Sequence, residues 1–213
     1  MSHESNSPIE RGALSPCWSC KGPVIQRALF CSTCAAVQGP GVVDHFTRLG
    51  MSRSFDVDMV TLDHNYFDLQ RRLHPDRFSG RTARERALSQ SQAVAVNDAY
   101  ETLKDPLKRA AYMLSLEGRK VDIHGTATID DPELLMEAME MREALADAET
   151  RAAIDKVAAR AEAQVLTCQC ALSTAFGHRD LDRAGALTTR LKYLGKLAEE
   201  ARARKSRLIR PVA

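Results

Sequence analysis

Pro75 constrains the fold of this chain more than any other residue, because it interrupts a stretch that otherwise reads as continuous helix. Before it, Leu62, Tyr66, Leu69 and Leu73 follow one another at spacings of four, three and four, which stacks them on one helical face. After it, the run Ala83 to Leu103 places Leu88, Val96, Ala99 and Leu103 on a matching stripe. Proline has no backbone N–H and biases the preceding residue away from helix, so the first helix is expected to stop at His74. Two apolar faces joined by a short loop make an antiparallel helical hairpin. His74, Pro75 and Asp76 then occupy its tip, where Asp76 is available for a charge-assisted hydrogen bond to a partner.

Arg71, Arg72, Arg77, Arg81, Arg84 and Arg86 surround this tip in sequence, opposed by Asp76 and Glu85. Such a positive patch steers a chain toward an acidic surface. An isolated His-Pro-Asp string is a weak motif and is compatible with an ordinary loop beside a solvated face. Set between two amphipathic helices and a basic rim, it resembles a J-domain, the module that makes a heat-shock ATPase chaperone hydrolyse ATP while holding a client. The resemblance implies that the chain acts by recruiting another protein's chemistry.

The 213 residues suffice for one or two domains, and 44% hydrophobic content suffices for packed cores. Aromatics are 5%, and alternating apolar runs of the kind a sheet requires are scarce, so the expected class is all-α. A net charge of +2 gives no global argument for nucleic acid. No apolar stretch approaches the roughly 20 residues that span a bilayer. The first sixteen residues carry Glu4 and Glu10 and no apolar core, which argues against a secretory signal or transit peptide and favours bacterial cytoplasm, with the mitochondrial matrix as the alternative.

Four cysteines form two short pairs, Cys17-Trp-Ser-Cys20 and Cys31-Ser-Thr-Cys34, separated by ten residues. Two such pairs supply the four thiolates of a tetrahedral zinc site, with no position left for metal catalysis. Lys21-Gly22 suits the tight turn after the first pair, glycine tolerating positive φ, and Val24, Leu29 and Phe30 are expected to form a small hairpin. A segment with so few apolar residues would not fold without the metal. Two disulfides, or a redox-active or iron–sulfur site, are the competing readings. Cys168 falls on the buried stripe Ile154, Val157, Ala161, Val165, Cys168, Leu172, Phe176, with Cys170 about 200° away around the helix, so these two are not expected to share a ligand face.

Punctuation divides the chain into a flexible N-terminus (1–16), a tetracysteine zinc module (17–38), a J-domain (44–117), a linker (118–130) and a C-terminal three-helix bundle (131–208). Gly39-Pro40-Gly41 marks the first separation. Asp105-Pro106 restarts a helix that is expected to lay Leu107, Ala110, Ala111 and Leu114 onto the hairpin, and Asp131-Pro132 repeats the signal. Bundle helices are expected near 132–147, 150–176 and 180–207, broken by Gly177 and capped by Asp180, with short antiparallel connections. No internal repeat is evident. The first bundle helix carries two stripes. Leu134, Ala138, Met141 and Leu145 cluster on one side, and Leu135, Met136, Met139 and Glu143 on another, with Glu140 just beyond. The second stripe is either an adaptable docking patch or the wide apolar arc of a helix with two neighbours.

The strings Tyr66-Phe-Asp-Leu-Gln-Arg-Arg-Leu-His-Pro-Asp-Arg-Phe78, Val96-Asn-Asp-Ala-Tyr-Glu-Thr-Leu103 and Leu135-Met-Glu-Ala-Met-Glu-Met-Arg-Glu143 resemble the HscB family, J-type co-chaperones of iron–sulfur cluster assembly, from about Asp44 onward. The tetracysteine module resembles the extra domain that some members carry. The resemblance implies an L-shaped molecule that is not itself an enzyme. Its J-domain would bind a dedicated heat-shock-70-class ATPase, HscA in bacteria, through His74, Pro75, Asp76, Arg71, Arg72 and Arg77. Its bundle would hold the scaffold IscU through Leu135, Met136, Met139, Glu140, Glu143 and Tyr193. Met139 and Tyr193 stand where the family often has leucine and phenylalanine. The implied function is coupling of scaffold delivery to ATP hydrolysis for cluster transfer, and self-association through the zinc module is a further expectation. A general J-protein serving unfolded clients is the alternative. A nucleic-acid role for the basic tail Arg202, Arg204, Lys205, Arg207 and Arg210 is disfavoured, since cations at a helix C-terminus answer the macrodipole.

Overall fold

Asp and Thr side chains open most of the helices by satisfying backbone donors that have no intrahelical partner. In a computed structural model of the chain, residues 14–125 and 132–209 are described, side chains of 207–209 excepted. The chain divides into two compact units, one comprising residues up to Arg53 with Val57–Lys104, the other Ser54–Asp56 with Asp105 onward.

In the first unit, strand β1 (Leu14–Pro16) pairs antiparallel with β2 (Pro23–Ile25). The expected flexibility of residues 1–16 therefore does not extend to Leu14–Pro16; residues 1–13 lie outside the described residues. Short helix α1 (His45–Arg48) is capped by Asp44, which accepts from the Thr47 N–H at 2.9 Å. Helix α2 (Met59–Leu73) is capped by Asp58, and a 3-10 turn (Pro75–Phe78) follows. Helix α3 (Ala83–Lys104) opens on a reciprocal box: Thr82 Oγ1 accepts from the Glu85 N–H at 3.2 Å, and the Glu85 carboxylate accepts from the Thr82 N–H at 3.1 Å. Leu62, Leu73, Phe78, Val96, Ala99 and Leu103 are buried between α1, α2, the turn and α3. The Tyr66 and Tyr100 rings stack at 3.9 Å, and Tyr100 donates to Asp63 at 2.8 Å, which ties the hairpin's arms together.

In the second unit, α4 (Pro106–Leu116), α5 (Pro132–Ala146), α6 (Arg151–Gly177) and α7 (Leu181–Ile209) surround a core of Ala110, Leu114, Ala138, Met141, Ala161, Cys168, Leu172, Leu191, Leu194 and Leu197. Helices α6 and α7 are the principal pair. Helix α4, expected on the hairpin, packs instead against α7. The faces of α2 and α3 already cover each other, so the α4 stripe finds its apolar partners in the bundle. Phe55 stacks on Phe176 at 5.6 Å between ring centres, with the Arg109 guanidinium 4.9 Å from the Phe55 centroid. Within the expected linker, Asp122 and Gly125 carbonyls accept from Lys192 Nζ at 2.9 and 2.7 Å. Residues 126–131, with the expected Asp131 cap, lie outside the described residues. The positive φ between α6 and α7 is taken by Arg179 (57°) rather than Gly177, and Asp180 caps α7 by accepting from the Arg183 N–H. Among the described residues no helix is long and apolar enough to cross a membrane.

Candidate docking surfaces and a candidate metal centre

The hairpin apex is built by a helix stop. His74, with φ −56° and ψ 134°, leaves helical geometry one residue before Pro75, which opens the 3-10 turn at its first position. His74 Nδ1 accepts from the Asp76 N–H at 3.3 Å and lies 3.4 Å from the Asp76 carboxylate, whose side chain is 89% exposed. Beneath it, the Leu73 carbonyl accepts from the buried Ser89 hydroxyl at 2.7 Å, and Phe78 is buried. The apex is thus polar and accessible outside while anchored inside. Arg71, Arg72 and Arg77 are all exposed around it, Arg72 lying 3.7 Å from Asp68 one turn back.

Helix α5 separates its two stripes as the periodicity predicts. Leu134, Ala138, Met141 and Leu145 are 1–8% exposed, whereas Leu135, Met136 and Met139 are 43%, 65% and 52% exposed. Glu140 and Glu143 are exposed alongside, Glu140 lying 3.7 Å from Arg160. Tyr193 is half-buried on α7, on the stretch between the Arg190–Glu137 and Arg142–Glu200 ion pairs that join α7 to α5. These pairs bracket Met139 on α5. The shelf is therefore an apolar surface fixed from below by core residues and rimmed by carboxylates.

The cysteine pairs form two similar turns. In the first, the Cys17 N–H donates to Gly22 O and the Lys21 N–H to Cys17 O. In the second, the Cys31 N–H donates to Ala36 O and the Ala35 N–H to Cys31 O. This is a repeat in structure that the sequence reading misses, since little beyond the cysteines is shared. The β1–β2 pair and the Phe30–Val37 bridge each flank one turn, in place of the expected hairpin of Val24, Leu29 and Phe30. Positive φ falls on Lys21 (64°) and Ala35 (58°), at equivalent places after the second cysteine of each pair, not on Gly22.

The four sulfurs lie within 4.8 Å of one another, with Cys17–Cys34 and Cys20–Cys31 at 3.7 Å. Tetrahedral coordination with metal–sulfur bonds of about 2.3 Å requires sulfur–sulfur edges of about 3.8 Å, so the set can hold a metal ion. Gln38 Nε2 donates to Cys17 Sγ at 3.4 Å, as do the N–H groups of Ser19 to Cys17 and Thr33 to Cys31. Burial raises the Cys17 thiol, but the N–H groups of Cys20 and Ser19 and the adjoining thiols outweigh it and lower its pKa to about 6. Cys31 is lowered by the N–H groups of Cys34 and Thr33. Although the Gly22 N–H lowers Cys20, the Cys34 thiol, burial and the other two thiols push it up to about 11. Once some of the cluster ionises, like charge opposes the rest, a conflict that a central cation removes. Cys168, by contrast, is buried, with its thiol pushed up to about 11 by desolvation, and Cys170 is exposed.

The module is not separated from the hairpin by a free linker. Buried Gln92 of α3 donates to the Gln38 and Gly39 carbonyls at 3.1 and 3.0 Å, and Arg48 donates to Pro40 O at 2.8 Å. Gly41 has φ 57°, and a side chain there would meet Gln26 O at 2.5 Å, so glycine is required. The Arg84 guanidinium sits 4.5 Å from the Trp18 centroid and that of Arg72 5.5 Å from Phe30. The one sequence signal for this docking was Gln92, which with Ser89 is a polar residue on the buried face of α3.

The DnaJ domain family model matches residues 44–112, and the model described as HSCB C-terminal oligomerisation domain matches residues 130–202. The iron-sulfur cluster co-chaperone protein HscB of Mus musculus is 35% identical over 208 residues, covering 96% of this chain and 88% of its own. The co-chaperone protein HscB homolog of Shewanella baltica OS185 is 37% identical, covering 74% of this chain and 94% of its own. The crystal structure of human co-chaperone protein HscB superposes with a TM-score of 0.82 at 35% identity, covering 89% of this chain and 98% of that one. For the chaperone HscB from Vibrio cholerae the score is 0.69 at 33% identity, with 78% and 100% covered. An apex built on His74-Pro75-Asp76, a bundle matched by the family's own C-terminal model and likeness along nearly the whole chain lead to one conclusion: the protein belongs to the HscB family of J-domain co-chaperones of iron–sulfur cluster assembly.

Proposed function

We propose that the chain stimulates a dedicated heat-shock-70-class ATPase of the HscA type through His74, Pro75, Asp76, Arg71, Arg72 and Arg77. At the same time it presents an IscU-type scaffold on Leu135, Met136, Met139, Glu140, Glu143 and Tyr193. The observation that carries this reading is the exposure of Leu135, Met136 and Met139 on a helix whose other stripe is almost completely buried. Bundle packing alone leaves that second stripe without a use, and a large, flexible apolar surface rimmed by charge suits a folded protein partner. The exposed Asp76 carboxylate beside arginines supports the other half. Holding both partners on one chain raises the effective concentration of scaffold at the ATPase.

Cys17, Cys20, Cys31 and Cys34 would hold one zinc ion. With all four positions filled by protein, its role is to cross-link the two turns. The test of the functional reading is Asp76→Asn. It is expected to abolish stimulation of ATP hydrolysis while leaving scaffold affinity unchanged by titration calorimetry. Stimulation surviving in the variant contradicts the proposal.

A further inference from the structure

The tetracysteine module and the hairpin together bound a cleft of about 320 Å³ next to the apex. Phe30 and Ala35 of the module form one wall, and Arg72, Arg77 and Arg81 the other, with Phe78 and Glu85 completing it. Its charge balance is positive, because Glu85 is the single acid among those residues and its carboxylate is already engaged by the Thr82 N–H and hydroxyl at 3.1 and 2.9 Å. Neither Arg77 nor Arg81 forms an ion pair within 4.0 Å among the described residues. The walls are held together. The Phe30 ring lies under Arg72, Trp18 lies under Arg84, and the buried Gln92 amide grips the connecting strap (residues 38–41) at the Gln38 and Gly39 carbonyls. Arg72 and Arg77 belong at once to this cleft and to the rim of the apex, so the cleft prolongs that face rather than opening elsewhere.

We infer that the metal module is part of the chaperone-docking face, its cleft receiving an acidic segment of the same ATPase that the apex engages. Carboxylates of that segment pair with Arg77 and Arg81, and its apolar stems lie on Phe30. The inference rests on the ATPase-stimulating function proposed above and extends it to a surface outside the J-domain. It assigns the module a binding role in addition to its own metal.

Ala35 gives the cleanest test, because it is exposed and already carries a β-carbon at φ 58°, so glutamate or lysine adds atoms only beyond that carbon. The probe is the purified heat-shock-70-class ATPase from the same source, titrated with the full-length metal-loaded chain. Ala35→Glu places a competing carboxylate in the cleft and is expected to raise the half-maximal concentration for ATPase stimulation about tenfold. Arg81→Ala is expected to raise it in the same direction, and Ala35→Lys to leave it unchanged or lower it. Metal content and thiol accessibility, measured on each variant, verify that the module is intact. If Asp76→Asn abolishes stimulation while intact Ala35→Glu and Arg81→Ala match the unmodified chain, the cleft is overturned and the apex reading stands. If the unmodified chain fails to stimulate the ATPase, both fall.

Discussion

Truncating the shelf is expected to separate binding from folding within a single helix. Leu135 and Met139 are 43% and 52% exposed. At about 25 cal/mol per Å², the ~160 Å² they leave open is worth at most about 4 kcal/mol to a partner that covers it. Alanine retains the β-carbon, so Leu135→Ala with Met139→Ala is expected to remove about 2–3 kcal/mol, a loss of scaffold affinity of about 30- to 150-fold. The cost to folding is expected to stay within about 0.5 kcal/mol, because neither side chain fills the core. Met141→Ala, two residues further along the same helix and 1% exposed, should do the reverse, costing about 2–5 kcal/mol of stability through the cavity it opens. Titration calorimetry with the scaffold and urea unfolding of the same preparations give both quantities. Unchanged scaffold affinity in the double variant, or a loss of stability as large as that of Met141→Ala, would refute the division of α5 into a binding face and a core face.

Removal of the metal by a chelator is expected to expose the four clustered thiols and to shift the fluorescence of Trp18, the one tryptophan, while leaving the helical circular dichroism nearly intact. An unchanged emission spectrum after verified metal loss contradicts metal-dependent folding of the module. The cap of α2 carries a pH signature. The Thr61 hydroxyl, followed by the Val60 N–H, holds the Asp58 carboxyl below its usual value. A depressed folded pKa gives stability that is present above the unfolded value and is lost as pH falls through the folded one, hence below about pH 4. Asp58→Asn, which does not titrate, should therefore show a smaller fall in urea midpoint between about pH 5 and pH 3 than the unmodified chain. Equal falls rule out that contribution.

Helix spacing was the most legible layer of this molecule, because a 3.6-residue period leaves a direct trace in the order of residues. The three bundle helices and the two stripes of α5 follow from it, and the stop at His74 follows from Pro75. What periodicity does not encode is which face meets which. The stripe of α4 was visible, but its partner α7 was not. The same limit hid the strap, where Gly39-Pro40-Gly41 reads as a separator until Gln92 and Arg48 are seen to bind its carbonyls. The four cysteines were legible as a set that could hold a metal ion, whereas the backbone of their turns was not. Lys21 and Ala35 adopt the left-handed conformation that composition would assign to Gly22, at a local cost of about 1–2 kcal/mol, each where its N–H closes the turn onto the first cysteine's carbonyl.

Single-turnover ATP hydrolysis measured with the chain and the scaffold, separately and together, addresses the coupling of the two surfaces most directly. The unmodified chain is expected to accelerate hydrolysis with scaffold by more than the product of the separate accelerations. The double variant at Leu135 and Met139 should keep the acceleration by the chain alone and lose the excess. An excess that persists in that variant, or is absent from the unmodified chain, contradicts coupling through the shelf and the apex.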